Sequence, residues 1–570
     1  MGLSLKGIVR TKWSLLLIAM GFIVSLLISL TAIRVGVDPY HEGALFPSAV
    51  GLAEGLSVFQ DVNNQYGFMY AVIQAPFIQI FGNYLLLHRI VGVFVFVFNT
   101  YLAFRIMRNK LSLQLSLFAT LLLCAINPSW SYLSGSSLGG YGIWINQYGI
   151  TFTLLSVLIL FKIVGKSENS HRLIFLSSFI SFCGAFVRLE FAAVWTLQLV
   201  FLSIGGLHKQ LKLKDSAIWV SGGFSALSLG VVFLLLTDGL SEAIAQLVKV
   251  WFSAPPNSAH LGLGNLLTLL SSCLLFIFLV VIVKIAFRFK YSLFWATFAI
   301  IGSLSTLRMA LPHLINFEIF GKMVGPYLDT SVDGLLLNYS SILFLTILAL
   351  IFFEVRTRNL GVNFESGFLL LTSLGLMAQL HNINSAYIYM LNPVFLACIL
   401  IYFHQERPRM LNSKFTKPVI TTLSILVTVS LANGLYLTSK PIYSYQTPVL
   451  KGMASNDIAV RDEIDKKFLI LKNSVTGQNL FMDCPNGLYS VSEEGLMNAD
   501  KWTWNEIPEK WRLASLSTAK PGQFVLQCGG GTNHVAQYAA WKRLGVIASV
   551  DEAQNFHLYK ILKKIPSNVP

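Results

Sequence analysis

Hydrophobic residues gather in long runs along this chain, and short polar stretches separate the runs. A helix that crosses a membrane needs about 20 apolar residues, and about thirteen runs approach that length. They lie near 13–33, 86–105, 112–127, 149–163, 173–187, 189–206, 217–237, 264–283, 292–312, 334–354, 365–380, 386–403 and 418–438. The pattern predicts an α-helical polytopic membrane domain with about 13 transmembrane helices over residues 1–438.

The pattern changes after residue 438, where polar residues become frequent. Two strands, a helix and a hairpin are predicted at 479–484, 523–528, 535–544 and 546–560, in that order. About 130 residues suffice for a small α/β domain, so residues 439–570 are predicted to form one. The glycines 529–531 before the helix permit a phosphate cradle, but a plain turn is favoured because no basic residue stands at P-loop spacing.

The composition agrees with a membrane protein. Of the 570 residues, 54% are hydrophobic and 12% are charged, whereas a soluble domain carries roughly 25% charged residues. The net charge of +15 comes largely from basic residues in short loops between the apolar runs, as is typical of cytoplasmic loops. The sequence has no zinc-finger spacing, P-loop or glycine-rich dinucleotide turn, which excludes those nucleic-acid-binding and nucleotide-binding classes.

The basic residues also predict which loops face the cytoplasm. With the N-terminus inside, the basic loops near 105–110, 162–172, 209–214, 284–290, 356–358 and 407–417 all fall on the inner side. The first apolar run is too long for a signal peptide and is predicted to be a retained anchor. This topology requires two separate short spans that meet outside at Arg188. It places the first outer loop, 34–85, and the domain 439–570 outside the cytoplasm.

Two cysteines, Cys484 and Cys528, lie in the C-terminal domain. Outside the cytoplasm such a pair can form a disulfide. The sequence leaves two interpretations open, a disulfide and two buried free thiols.

The first outer loop opens with clustered titratable residues. Asp38, His41 and Glu42 follow the first apolar run within five positions. The two acids are spaced i, i+4 and share a face if the segment is helical, and the next stretch, 44–56, is predicted to be an interfacial amphipathic helix. Charged groups at a membrane face pair, line a cavity or perform chemistry, and their clustering favours chemistry over ordinary solvated charge.

Several further polar residues are predicted at the same outer depth. Asp61, Gln65 and Tyr66 end the stretch after the acids, His88 and Arg89 begin the second span, and Arg188, Glu190, Arg308, His313 and His381 lie at later outer ends. Guanidinium groups at one depth can bind a lipid phosphate through two hydrogen bonds each. The structural alternatives are snorkelling to the headgroups for Arg89 and an ion pair between Arg188 and Glu190.

These motifs resemble the glycosyltransferase C superfamily. Residues 38–43, Asp-Pro-Tyr-His-Glu-Gly, look like the opening "D-P-x-H-D-G" of many bacterial members, and they are similar to the "D-E-x-x-Y-A" opening of aminoarabinose transferases and protein O-mannosyltransferases. Residues 61–67 look like the continuation "D-x-x-x-x-Y-G". The likeness covers residues 10–205 and extends to the later spans by topology only.

The resemblance implies a sugar donor carried on polyprenyl or dolichyl phosphate, with transfer outside the cytoplasm and usually with inversion. The acceptor is then a glycan, a lipid or a protein. A carboxylate of the first outer loop takes the acceptor proton as general base, and the two alignments leave both Asp38 and Glu42 open for that role. The arginines are predicted to bind the leaving phosphate. No cofactor is required, although Asp38, Glu42 and Asp61 allow a divalent metal.

Two other classes compete with a transferase. A transporter or flippase of lipid-linked saccharides tends to place charges or broken helices near the bilayer midplane, in repeated halves. Most of the predicted spans lack central charges. A membrane scaffold that binds through its outer domain is compatible with the spans, but it gives the loop acids no role. Convergence of the acids and arginines in one outer site favours the transferase.

Overall fold

The computed structural model describes most of the N-terminal part and the C-terminal part of the chain. The described residues are 5–39, 42–43, 45–62, 66–133, 145–162, 170–189, 191–207, 213–245, scattered positions from 368 to 435, 438–475, 477, 479–484, 487–497, 513, 516–528, 532–553 and 555–566. The spans predicted near 264–283, 292–312 and 334–354 lie outside them. The last three predicted spans are described only at isolated positions.

Helices make up the N-terminal part of the described chain. They are α1 (Leu5–Ala32), α2 (Phe46–Ala53), α3 (Met69–Phe81), α4 (Leu85–Arg108), α5 (Leu113–Leu133), α6 (Asn146–Phe161), α7 (Ser170–Cys183), α8 (Phe191–Leu207) and α9 (Leu213–Leu236). A 3₁₀ turn, Gly184–Phe186, follows α7. Within the described residues, three stretches are long and apolar enough to cross a membrane: Leu15–Ala32, Leu85–Arg108 and Lys214–Leu236. These apolar helices identify the chain as a membrane protein. The total of thirteen spans stays a prediction.

Polar side chains join the apolar helices to one another. Asn99 of α4 donates to the Gln147 carbonyl of α6 at 2.8 Å and accepts from Thr151 at 2.7 Å. Ser181 of α7 donates to Gln198 of α8 at 2.6 Å. Such hydrogen bonds hold helices together where lipid provides no hydrophobic driving force. Large apolar side chains such as Phe94, which is 68% exposed, cover the outside of the helices.

The helix predicted within residues 44–56 is present as α2, but it is more deeply buried than an interfacial helix is expected to be. Its helical part, α2, is buried along all of Phe46–Gly51. The helix packs against α3 on one side and against the turn Gly487–Ser490 on another, and only its last two residues, Leu52 and Ala53, are partly exposed. The segment predicted as the first outer loop therefore contains a packed helix.

The described residues from 443 to 566, called the C-terminal unit below, combine strands and helices. The strands are β1 (Tyr443–Ser444), β2 (Ala454–Ser455), β3 (Leu480–Asp483), β4 (Phe524–Cys528), β5 (Ile547–Ala553) and β6 (Phe556–Ile561), and the helices are α10 (Ile458–Ser474) and α11 (Thr532–Arg543). Four strands form a sheet in the order β3-β4-β6-β5, with β3 parallel to β4 and the remaining pairs antiparallel. The predicted strands, helix and hairpin of this region are all present.

The disulfide interpretation of the cysteines is the one that the structure shows. Cys484 follows β3 and Cys528 ends β4, and the two form a disulfide with their Cα atoms 4.7 Å apart. The neighbouring parallel strands bring the cysteines together at their carboxyl ends. The bond fixes the point at which the chain leaves β3 toward the turn Gly487–Ser490.

One apolar core joins α2 to the C-terminal unit. It contains Phe46 and Val50 from α2 together with Leu488 and Tyr489 from the C-terminal unit. Tyr148 at the start of α6 belongs to the same core. The C-terminal unit is therefore packed directly on the segment that carries the acids.

Candidate active site

Glu42 and Arg89 form a buried ion pair beside the segment that follows α1. Arg89 Nε lies 2.7 Å from Glu42 Oε1, and the side chains are 1% and 0% exposed. The remaining guanidinium nitrogens donate to main-chain carbonyls: Nη1 to Ile33 and Val35 at 3.0 and 3.2 Å, and Nη2 to Gly36 at 2.6 Å. The guanidinium group thus connects the first turns of α4 to the segment that follows α1.

The second oxygen of Glu42 holds Asp38 in place. Glu42 Oε2 accepts the Asp38 backbone N–H at 2.7 Å, and the Glu42 N–H donates to the Asp38 carbonyl at 3.0 Å. Burial raises the pKa of the Glu42 carboxyl, while the Arg89 charge acts in the opposite direction. Asp38 is only partly buried, so the two acids occupy different surroundings although they share one turn.

A tyrosine of the C-terminal unit lies near this pair, although no sequence pattern predicts it there. Tyr445 is 6% exposed, and the charges of Arg89 and Glu42 both act on its hydroxyl. Burial raises the pKa of Tyr445 to about 12. No motif marks this residue, because it reaches the site only through the packing of the C-terminal unit.

A second polar group forms where Tyr66 meets Arg188. The guanidinium carbon of Arg188 lies 5.5 Å from the centroid of the Tyr66 ring, which is a cation–π distance. Arg188 is 6% exposed, and its Nη1 donates to Asn146 Oδ1 at 3.3 Å. Tyr66 and the meeting point of α7 and α8 are thus brought together.

Glycine at position 67 makes this approach possible. The Gly67 N–H donates to the Val187 carbonyl at 3.0 Å. A Cβ at position 67 would lie 1.9 Å from the Phe186 carbonyl oxygen, far inside van der Waals contact. The third residue of the Gln-Tyr-Gly segment therefore has a packing reason to be glycine.

His88 is buried beside an aromatic ring, whereas Asp61 is exposed and closes a turn. The His88 ring is fully buried with its centroid 5.5 Å from that of Phe46, and among the described residues neither ring nitrogen has a hydrogen-bond partner. Asp61 is exposed, and its Oδ2 accepts the Ser57 N–H at 2.8 Å, which closes the turn before Val62. The predicted substrate-binding role of both residues stays a prediction.

Six predicted site residues lie outside the described residues: His41, Gln65, Glu190, Arg308, His313 and His381. Within the described part of the chain, no three His, Cys, Asp or Glu side chains come together as a metal site requires. Asp38, Glu42 and Asp61 thus form no such group there. The Glu42 carboxylate is instead compensated by Arg89.

Comparison with known proteins gives matches among solved structures only. No protein-family model and no curated protein sequence matches the chain. The chain is similar to ArnT from Cupriavidus metallidurans bound to undecaprenyl phosphate, at 10% identity and a TM-score of 0.45, over 96% of this chain and 98% of ArnT. It is also similar to ArnT from that organism in the apo state, at 11% identity and a TM-score of 0.45, over 97% and 98%.

The chain is similar, too, to the oligosaccharyltransferase AglB from Archaeoglobus fulgidus in complex with an inhibitory peptide and a dolichol-phosphate. That match has 12% identity and a TM-score of 0.40, and it covers 81% of this chain and 58% of AglB. Likeness at this level carries no argument about activity, which depends on the residues of the site.

Proposed function

We propose that the chain is a membrane glycosyltransferase. It moves a sugar from a polyprenyl-phosphate carrier to an acceptor hydroxyl outside the cytoplasm, with inversion at the anomeric carbon. The observation that carries the proposal is the half-buried Asp38, whose backbone is fixed by a fully buried Glu42–Arg89 pair. A positioned carboxylate at the outer end of apolar helices is suited to activating an alcohol beside a lipid-borne donor.

We assign the general base to Asp38 and a positioning role to Glu42. Both oxygens of Glu42 accept hydrogen bonds inside the protein, from Arg89 and from the Asp38 N–H. Moving Glu42 toward a substrate would strand the Arg89 charge in the interior, at a cost of several kcal/mol. Asp38 is only partly buried, whereas Glu42 is 0% exposed, so the Asp38 carboxylate is the more accessible of the two to an acceptor.

We assign the leaving phosphate to Arg188. Arg89 already donates to one carboxylate and three carbonyls. Its guanidinium group therefore has a structural role in holding the loop and is not assigned to the phosphate. Arg188 lies on the outer meeting point of α7 and α8 with its guanidinium against the Tyr66 ring. A guanidinium fixed in this way stabilises a growing phosphate charge without further reorganisation.

In the proposed reaction, Asp38 removes the proton of the acceptor hydroxyl as its oxygen attacks the anomeric carbon. The bond from that carbon to the phosphate oxygen breaks, and its electron pair stays on the phosphate. Attack from the face opposite the leaving group inverts the configuration. Polyprenyl phosphate leaves beside Arg188, and the proton remains on Asp38 until solvent takes it.

The test uses the purified full-length protein in lipid nanodiscs with a panel of polyprenyl-phosphate sugars. We expect Asp38→Asn to lower turnover by about 10²- to 10⁴-fold with donor affinity little changed, because the loss of a general base affects the chemical step. The control is Asp462→Asn on α10, whose side chain is 63% exposed. Product formation that survives Asp38→Asn removes the assignment of the base. Movement of lipid-linked saccharide across vesicles without any product would favour a flippase.

A further inference from the structure

The acid loop, residues 34–43, is bonded to the C-terminal unit on both sides of Asp38. Before Asp38, the Gly36 N–H donates to the Ala454 carbonyl at 2.9 Å, and the Ala454 N–H donates to the Arg34 carbonyl at 2.7 Å. After Asp38, the Leu488 N–H donates to the Pro39 carbonyl at 3.3 Å. The C-terminal unit therefore restrains the main chain at both neighbours of the Val37–Asp38 segment.

The contact after Asp38 is a close approach of two glycines. A Cβ on Gly43 would lie 2.3 Å from the Leu488 nitrogen and 2.5 Å from the Gly487 nitrogen. A Cβ on Gly487 would lie 2.5 Å from the Gly43 carbonyl oxygen. Atoms of this kind stay at least 3.0 Å apart, so any side chain at either position forces the two backbones apart.

The opposite side of the loop is held by the Glu42–Arg89 pair. Arg89 binds the carbonyls of Ile33, Val35 and Gly36, while Glu42 binds the Asp38 N–H. The main chain around Asp38 is thus clamped between the start of α4 and the C-terminal unit. Arg89 and the C-terminal unit both lie outside the acid loop, so the position of the loop is set by contacts from two other parts of the chain.

We propose that the turn Gly487–Ser490 of the C-terminal unit is a positioning element of the active site, which fixes the Asp38 carboxylate for proton transfer. This inference rests on the proposed function. The C-terminal unit is then part of the catalytic apparatus and not a separate binding module. The disulfide from Cys484 to Cys528 anchors the chain three residues before Gly487 and so stiffens the turn at its base.

The first measurement is kinetic and uses Gly487→Ala in the full-length protein in nanodiscs. An added Cβ must displace the acid loop by roughly 0.5–1 Å, and a misplacement of about 1 Å can cost 10²-fold in rate. We expect kcat to fall by about 10- to 100-fold while KM for donor and acceptor changes less than about twofold, since the substrate contacts stay intact. A loss through general unfolding would instead lower the active fraction without changing the kcat of active molecules.

The matched control is Gly477→Ala in the same unit. Nothing lies within 4 Å of a Cβ at position 477, and its φ of +59° makes alanine strained. The control therefore loses stability without touching the acid loop. We expect it to keep wild-type kcat, whereas Gly487→Ala does not.

The second measurement is amide hydrogen exchange of the peptide covering residues 34–46, which needs no turnover. We expect faster exchange in Gly487→Ala than in the wild type and in Gly477→Ala, because the Gly36 and Glu42 amides lose protection. Unchanged exchange in Gly487→Ala overturns the inference. Normal kcat in Gly487→Ala, with an active wild type, also overturns it and leaves the proposed function intact. A wild type that transfers no sugar from any donor refutes the proposed function itself, and the catalytic role of the turn with it.

Discussion

The Glu42–Arg89 pair allows a double-mutant test of how the acid loop is held. Glu42→Gln leaves the Arg89 charge buried without a counter-ion, and Arg89→Met leaves the Glu42 charge in the same condition. The two side chains are 0% and 1% exposed, so water cannot replace the lost partner. Breaking a buried pair on one side costs about 3–5 kcal/mol, and we expect each single variant to lose that much unfolding free energy.

The double variant Glu42→Gln/Arg89→Met removes both charges. Arg89→Met also strands the carbonyls of Ile33, Val35 and Gly36, but the double variant strands them equally, so this cost cancels in the cycle. We therefore expect the double variant to be less destabilised than the sum of the single variants by about 2–3 kcal/mol. The cycle isolates the charge pairing from the other hydrogen bonds of Arg89.

The assay is reversible unfolding in mixed micelles, followed by tryptophan fluorescence. The reference is the same cycle on Arg461 and Asp462 of α10, an ion pair in which the aspartate is 63% exposed. Exposed pairs contribute about 0–1 kcal/mol. A coupling energy for Glu42 and Arg89 no larger than that of this partly exposed pair, whose arginine is 19% exposed, would refute the reasoning, because it would mean that the carboxylate and guanidinium are not bound together in the interior.

Three further outcomes follow from the same contacts. Gly67→Ala places a Cβ 1.9 Å from the Phe186 carbonyl oxygen, so we expect a lower Tm and a raised donor KM; an unchanged KM contradicts this. The pKa of Tyr445 is raised to about 12 in the folded protein, from about 10 in the unfolded chain, so the unfolded chain releases the proton first. We therefore expect the unfolding free energy to fall by about 2–3 kcal/mol as pH rises from about 10 to 12. Unfolding of Tyr445→Phe measured against pH should lack this decline, and an equal decline in both proteins contradicts the prediction. Cys484 and Cys528 are 44 residues apart in the sequence, so reduction of their disulfide should lower the unfolding free energy of the C-terminal unit by about 4 kcal/mol. The measurement is unfolding with and without dithiothreitol. The variant with serine at both positions should show no effect of the reductant.

The sequence determined the features that depend on local pattern. Apolar runs such as 86–105 became α4 because about 20 apolar residues satisfy their backbone only as a helix in lipid. The strands near 479–484 and 523–528 formed where expected, since their apolar character and glycine boundaries are also local. The sequence likewise singled out Asp38 and Glu42 as an unusual pair of acids at a membrane face.

Only the tertiary structure decided what each of those acids touches. Glu42 meets Arg89 across 47 positions, and the Pro39 carbonyl meets the Leu488 amide of the C-terminal unit. The groups that surround an ionisable side chain come from segments far apart in the chain. The spacing of residues within the motif therefore cannot predict these contacts. Packing also buried most of α2, which the sequence pattern predicts as a surface helix, because one of its faces is covered by the turn Gly487–Ser490, more than 430 residues later in the chain.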